Sequence, residues 1–178
     1  MKGIVLAALS PHPPVLIPEI GVNELGEIKK TEDSMKKLAQ QVKEVDPDLI
    51  VTISPHGPVF SDAISILDQE ELTGNFSDFG VSEVELNYEL AEEFTAELAK
   101  ATNSREITTA RINQATARKM DIDLKLDHGV LVPMYYLKQV GLDTPLVPIN
   151  MGMLAYEELY KFRKILQLVG EKLDCRIA

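Results

Sequence analysis

Hydrophobic residues fall along this chain in two rhythms. Continuous apolar runs at residues 3–9 (GIVLAAL) and 49–53 (LIVTI) are bounded by turn signals, which predicts strands buried on both faces. Between them Leu25, Ile28, Met35, Leu38, Val42 and Val45 recur at spacings of three, four and seven, the pattern of one amphipathic helix. Pro47, with Asp46 and Asp48 on either side, ends that helix before the second strand. Strand, helix and strand in this order predict a parallel crossover unit.

The rest of the chain alternates in the same way. DAISILD (62–68) and TPLVPIN (144–150) predict two more strands. Residues 69–83, with Gly74, Asn75, Ser77, Asp78 and Gly80, read as a loop or an excursion at a sheet edge. Asn87 is a helix-capping residue by type, and predicts a helix to about residue 101 with Tyr88, Ala91, Phe94, Leu98 and Ala101 on its apolar face. Residues 102–126 are polar and mixed, with Ile107 the one hint of a short strand. The run LDHGVLVPMYYLKQVG opens an apolar helix that Gly141 closes, and Leu159, Phe162, Ile165, Leu166, Val169 and Leu173 mark a last one. The fold class that follows is α/β: a central, largely parallel or mixed sheet with helices on both faces.

Composition narrows the function classes. At 178 residues there is enough chain for one core, and no apolar run is long enough to span a bilayer. A net charge of −10 opposes nucleic-acid binding, which needs clustered Lys and Arg. The basic stretch of Arg105, Arg111, Arg118 and Lys119 is thin for that purpose. The apolar start lacks a small-residue cleavage site before its prolines, so it reads as a first strand and the protein as cytoplasmic. The single cysteine, Cys175, excludes an intramolecular disulfide and any cysteine-based zinc knuckle.

Three histidines carry the chemistry. Each lies in a turn braced by proline or glycine: Ser10-Pro11-His12-Pro13, Ser54-Pro55-His56-Gly57 and Asp127-His128-Gly129. A lone histidine in a turn is ordinarily a hydrogen-bonded turn residue. Here every histidine of the chain has the same rigid setting, which suits a preorganised metal or catalytic site. His12 and His56 each follow a predicted strand, and ligands of such sheets gather at the carboxyl ends of strands. If those strands are neighbours, both imidazoles enter one crevice. Two neutral imidazoles, a carboxylate and open positions suit non-haem Fe(II), and zinc accepts the same donors. Asp127, Glu19, Asp62 and His128 are the candidates for a further ligand, although Asp127 equally suits a helix cap. No nucleophile elbow, Walker loop or dinucleotide fingerprint is present, and Ser10 and Ser54, two residues before their histidines, are weak hydrolase candidates.

The three settings together resemble a family. SPHPPVLIPEIG, ISPHGPVF and LDHGVLVPMYYL are similar to the histidine motifs of the LigB-type class III extradiol dioxygenase superfamily, to which the Memo proteins belong. The form HPPVLIPEIG most resembles the LigB-like domain of the AmmeMemoRadiSam group. The resemblance implies that His12 and His56 bind Fe(II), or zinc in some relatives, and that His128 is the acid/base. It implies a small aromatic diol as substrate and extradiol ring cleavage with O2. The alternative is a non-enzymatic Memo-like binding or scaffold module of the AmmeMemoRadiSam group. An AMMECR-type domain or a second copy of the chain is the expected partner. In the relatives another metal ligand follows in a segment nearer the C-terminus, about where DCRIA stops. The chain therefore reads as one LigB-like domain, residues 1–178, cut short at its C-terminus, with Leu173–Ala178 opening a further strand.

Overall fold

The computed structural model describes residues 2–22 and 25–178, apart from the side chain of Leu25, which lies outside the described residues. The elements are β1 (Gly3–Ile4), α1 (Leu25–Glu44), β2 (Ile50–Ser54), β3 (Ile64–Leu67), β4 (Glu71–Phe76), β5 (Val81–Glu89), α2 (Glu92–Asn103), β6 (Thr109–Ile112), α3 (Gln114–Met120), α4 (His128–Gln139), β7 (Leu146–Asn150), α5 (Tyr156–Lys172) and β8 (Arg176–Ile177). The fold is mixed α/β, as the alternation predicts.

β2 and β7 pair in parallel, β7 and β3 antiparallel, and β3 and β6 in parallel. β8 pairs with β1 and is joined to β2 through a bridge between Leu49 and Ile177 and the bond from the Val51 N–H to the Ala178 carbonyl. The strands thus follow one another as β1-β8-β2-β7-β3-β6. Two apolar layers cover the two faces. Met35, Ala39 and Val42 of α1 join Val130, Leu131 and Met134 of α4 on one side. Phe94 and Leu98 of α2 join Phe162, Ile165 and Val169 of α5 on the other, against Ile64, Ile66, Val147 and Ile149. β3 is buried on both faces, which suits its apolar Ile64, Ile66 and Leu67, and the buried Ser65 donates its hydroxyl to the Pro58 carbonyl.

Four expectations are corrected. The strand predicted over 3–9 is paired only at Gly3–Ile4; its last rung is the Val5 N–H on the Ile177 carbonyl, and Leu9 is 99% exposed. β1 and β2 are not neighbours, because β8 lies between them. Residues 71–89 form an antiparallel hairpin, β4–β5, rather than a loop; Leu72, Gly74 and Phe76 alternate inward, and the glycine hides the period. Asn87 is a mid-strand residue of β5, so it caps nothing, and α2 starts at Glu92. The mixed stretch after α2 contains β6 and also α3, which Asn113 caps by accepting the Thr116 N–H.

Candidate metal centre

Each histidine is placed by a different local device. After β1 the chain runs through Pro11 to His12, and Pro13 then starts a single 3-10 turn, Pro14–Leu16. Proline's fixed φ suits that entry. Leu16 and Ile17 are buried, so the turn is pinned from below. The Tyr136 hydroxyl of α4 donates to the Leu16 carbonyl at 2.6 Å, tying the His12 turn to a second element.

His56 stands two residues beyond Ser54, the last residue of β2. Its backbone N–H donates to Ser54 Oγ at 3.2 Å. Gly57 is required by close approach: a Cβ there would meet the amide of Asn150, at the end of β7, at 2.1 Å. His128 is the first residue of α4, and Asp127 is its N-cap. Asp127 Oδ1 accepts the Gly129 N–H at 2.7 Å and the Ser54 hydroxyl at 2.6 Å. One carboxylate therefore both satisfies an orphan helix donor and joins the end of β2 to the start of α4.

These devices bring the three imidazoles together. One ring nitrogen from each of His12, His56 and His128 lies within 4.8 Å of the others. The Nε2 atoms of His12 and His56 are 2.9 Å apart. Ring centroids are separated by 4.9 Å for His12 and His56, and by 4.1 Å for His56 and His128. Two metal–nitrogen bonds of about 2.05 Å at right angles would put their nitrogens roughly 2.9 Å apart. The donor set therefore fits a divalent transition metal held by neutral imidazoles, with neighbouring coordination positions left to other ligands. The pKa of His128 is lowered from the usual imidazole value, first by burial and then by the neighbouring His56, with Asp127 opposing.

Among the described residues the remaining candidates have other surroundings. Asp127 is outside the group of three and its Oδ1 is already bonded twice. Glu19 and Asp62 are exposed and also outside the group. Ser10 donates to the Pro11 carbonyl and Ser54 to Asp127, so neither hydroxyl is bonded to an imidazole. Cys175 sits under α5, its thiol pushed up by burial. One contributor escaped sequence reasoning. Phe79, from the turn of the β4–β5 hairpin, lies edge-on to His128 with centroids 5.3 Å apart. The inward alternation of Leu72 and Phe76 was the signal that a hairpin existed there.

No helix of the described residues is long and apolar enough to cross a membrane. Protein CA_C1420 of Clostridium acetobutylicum is 29% identical over 154 residues, which is 86% of this chain and 33% of that protein. The chain thus spans about a third of the length of this curated relative. Residues 6–176 match the family described as the catalytic LigB subunit of aromatic ring-opening dioxygenase, a span that holds all three histidine turns and nearly every strand that positions them. Motif order, sheet architecture and the meeting of the imidazoles agree with that match, and the chain belongs to the LigB family.

Proposed function

We propose that this chain is a metal-dependent ring-opening dioxygenase domain that cleaves a catechol-type substrate with O2 at non-haem Fe(II). The observation that carries the reading is the convergence of three imidazole nitrogens within 4.8 Å in a chain that has no other histidine. His12 and His56 are the metal-holding pair, through the two Nε2 atoms that already stand 2.9 Å apart. A bound divalent iron supplies open coordination positions and one-electron chemistry for a diol and dioxygen.

The protein's own groups do the rest. His128, whose charging burial and His56 oppose, accepts the proton of a substrate hydroxyl and later returns it. Asp127 fixes the start of α4 and so the origin of the His128 side chain. Ser54 holds that carboxylate against the end of β2, which keeps His56 and His128 in register. Three fixed imidazoles at the carboxyl end of parallel strands support a catalytic crevice of this kind. Joining to an AMMECR-type domain would be in keeping with a relative of which the matched residues make up only a third.

The test is anaerobic loading with Fe(II), then catechol-type substrates and O2. A yellow ring-opened product that is lost in His12→Ala, His56→Ala and His128→Ala is the expected result. The first two should also lose the thermal stabilisation that metal confers on the parent, about 2.7 kcal/mol at a hundredfold excess over Kd. Iron that binds without product across a panel of diols would leave a binding or scaffold module as the function.

A further inference from the structure

The β4–β5 hairpin presents an aromatic side chain to the histidine crevice in a way the core does not require. Its two phenylalanines are divided in use. Phe76 is fully buried in the core layer that α1 and α4 share, whereas Phe79 is 40% exposed and stands edge-on to the His128 ring, with planes at 76°. The turn between them is fixed. Asn75 Oδ1 accepts the Ser77 N–H at 3.0 Å, and Gly80 closes the 3-10 turn Ser77–Phe79 at φ +81°, donating its N–H to the Ser77 carbonyl.

The hairpin is also fixed against the helix that carries His128. Leu126 donates its N–H to the Thr73 carbonyl at 2.9 Å, two residues before that histidine. Gly74 sits so close that a Cβ would meet the Leu126 carbonyl at 2.8 Å and Leu131 Cδ2 at 3.1 Å. Phe79 is thus held at a set distance from the site while its ring stays partly open to solvent. Met151 and Met153, which follow β7, are exposed, and their N–H groups bond to the carbonyls of Ser54, at the end of β2, and of Phe60. Thioethers are adaptable partners for aromatic faces.

We infer that Phe79 is the substrate-binding wall of the site and selects planar aromatic diols over aliphatic chelators. The inference rests on the proposed function and deepens it. A flat ring whose oxygens approach His12 and His56 has His128 on one side and meets the Phe79 ring beyond it, in the offset or edge-on contact aromatic pairs prefer. Apolar walls with few placed polar groups are the usual makeup of such pockets.

Titration of the Zn(II)-loaded protein with 4-nitrocatechol, read by its visible absorption, tests this without turnover. Acetohydroxamate, which chelates through two oxygens but has no ring, is the comparison ligand. Phe79→Ala should weaken 4-nitrocatechol about five- to tenfold and leave acetohydroxamate unchanged, while Phe79→Tyr keeps parental affinity for both. The chain has no tryptophan, so Phe79→Trp adds a single fluorophore, whose emission should be quenched by 4-nitrocatechol. Equal affinity of parent and Phe79→Ala for 4-nitrocatechol, or equal losses for both ligands at unchanged zinc content, overturns the role of Phe79 alone. Failure of the parent to bind zinc or 4-nitrocatechol overturns the proposed site and this inference with it.

Discussion

Gly129→Ala sets helix propensity against packing at the centre of the site. Gly129 is the second residue of α4, and by propensity alone alanine would stabilise the helix by up to about 1 kcal/mol. Packing points the other way. The added Cβ would stand 2.5 Å from Ser54 Oγ, 2.8 Å from Asp127 Oδ1 and 3.1 Å from His56 Cδ2. Overpacking of this kind costs about 1–3 kcal/mol, and relieving it by moving Asp127 loosens a cap worth about 1 kcal/mol and its bond to Ser54. The expected net loss is about 2 kcal/mol, or roughly 4–8 °C in Tm for a chain of this size. Gly26 is the matched control. It is also the second residue of its helix, α1, yet none of the described residues lies within 4 Å of a Cβ there, so Gly26→Ala should be neutral or stabilising by up to about 1 kcal/mol. Urea unfolding of the metal-free proteins measures both, and zinc titration should show weaker binding for Gly129→Ala only. A Gly129→Ala protein as stable as the parent, with unchanged zinc affinity, would refute the claim that Ser54, Asp127 and His56 meet in one rigid contact.

Three further outcomes follow from the same contacts. Asp127→Ala should cost about 1–2 kcal/mol in urea unfolding, whereas Asp127→Asn, which caps as well, should cost less than half of that. Tyr136→Phe should cost about 1 kcal/mol at neutral pH by leaving the Leu16 carbonyl without its donor, and should lower metal affinity through the His12 turn. The same variant tests a pH dependence. Burial pushes the Tyr136 phenol up to about 12, so its neutral form is favoured in the folded state. That stability is complete below pH 10, where the unfolded phenol is also neutral, and is lost as pH rises from 10 towards 12. Over that window the parent should lose up to about 2–3 kcal/mol more than Tyr136→Phe, as followed by denaturant midpoints. An identical alkaline slope in the two proteins would show that Tyr136 is not shielded.

What could be read from the chain divides along a physical line. The helices α1, α4 and α5 and the strands β3 and β7 declare themselves through their apolar patterns, because each buries a whole stripe or both faces, whereas β2, expected to be buried on both faces, leaves Ile53 exposed. The three histidine turns are legible because proline and glycine state backbone geometry directly. The hairpin is not, since Gly74, Asn75, Ser77, Asp78 and Gly80 are turn formers by type. Gly74 is a strand residue through its pairing with Leu86, and its close packing on Leu126 and Leu131 leaves no room for a side chain that would have shown the period. Asn87 misleads for the related reason that a capping residue is neutral in a strand whose own face is exposed. Strand order cannot be read locally either, and insertion of β8 between β1 and β2 depends on contacts spanning the whole chain.

That insertion changes how the site is held. If β1 and β2 were adjacent, sheet hydrogen bonds alone would fix His12 relative to His56. With β8 between them, and with residues 6–9 making no strand pairs, the sheet leaves the His12 turn free to shift. Three ties that limit this freedom converge on α4 and the residues leading into it. Tyr136 holds Leu16 and hence the His12 turn, Asp127 holds Ser54 and hence the His56 turn, and Leu126 holds Thr73 and hence the hairpin that carries Phe79. His128 begins that same helix, so one rigid element sets the distances among all three imidazoles and the aromatic wall. A side chain that shifts α4 should therefore perturb metal binding and aromatic recognition together, while a change confined to one tie should perturb only the element at its far end.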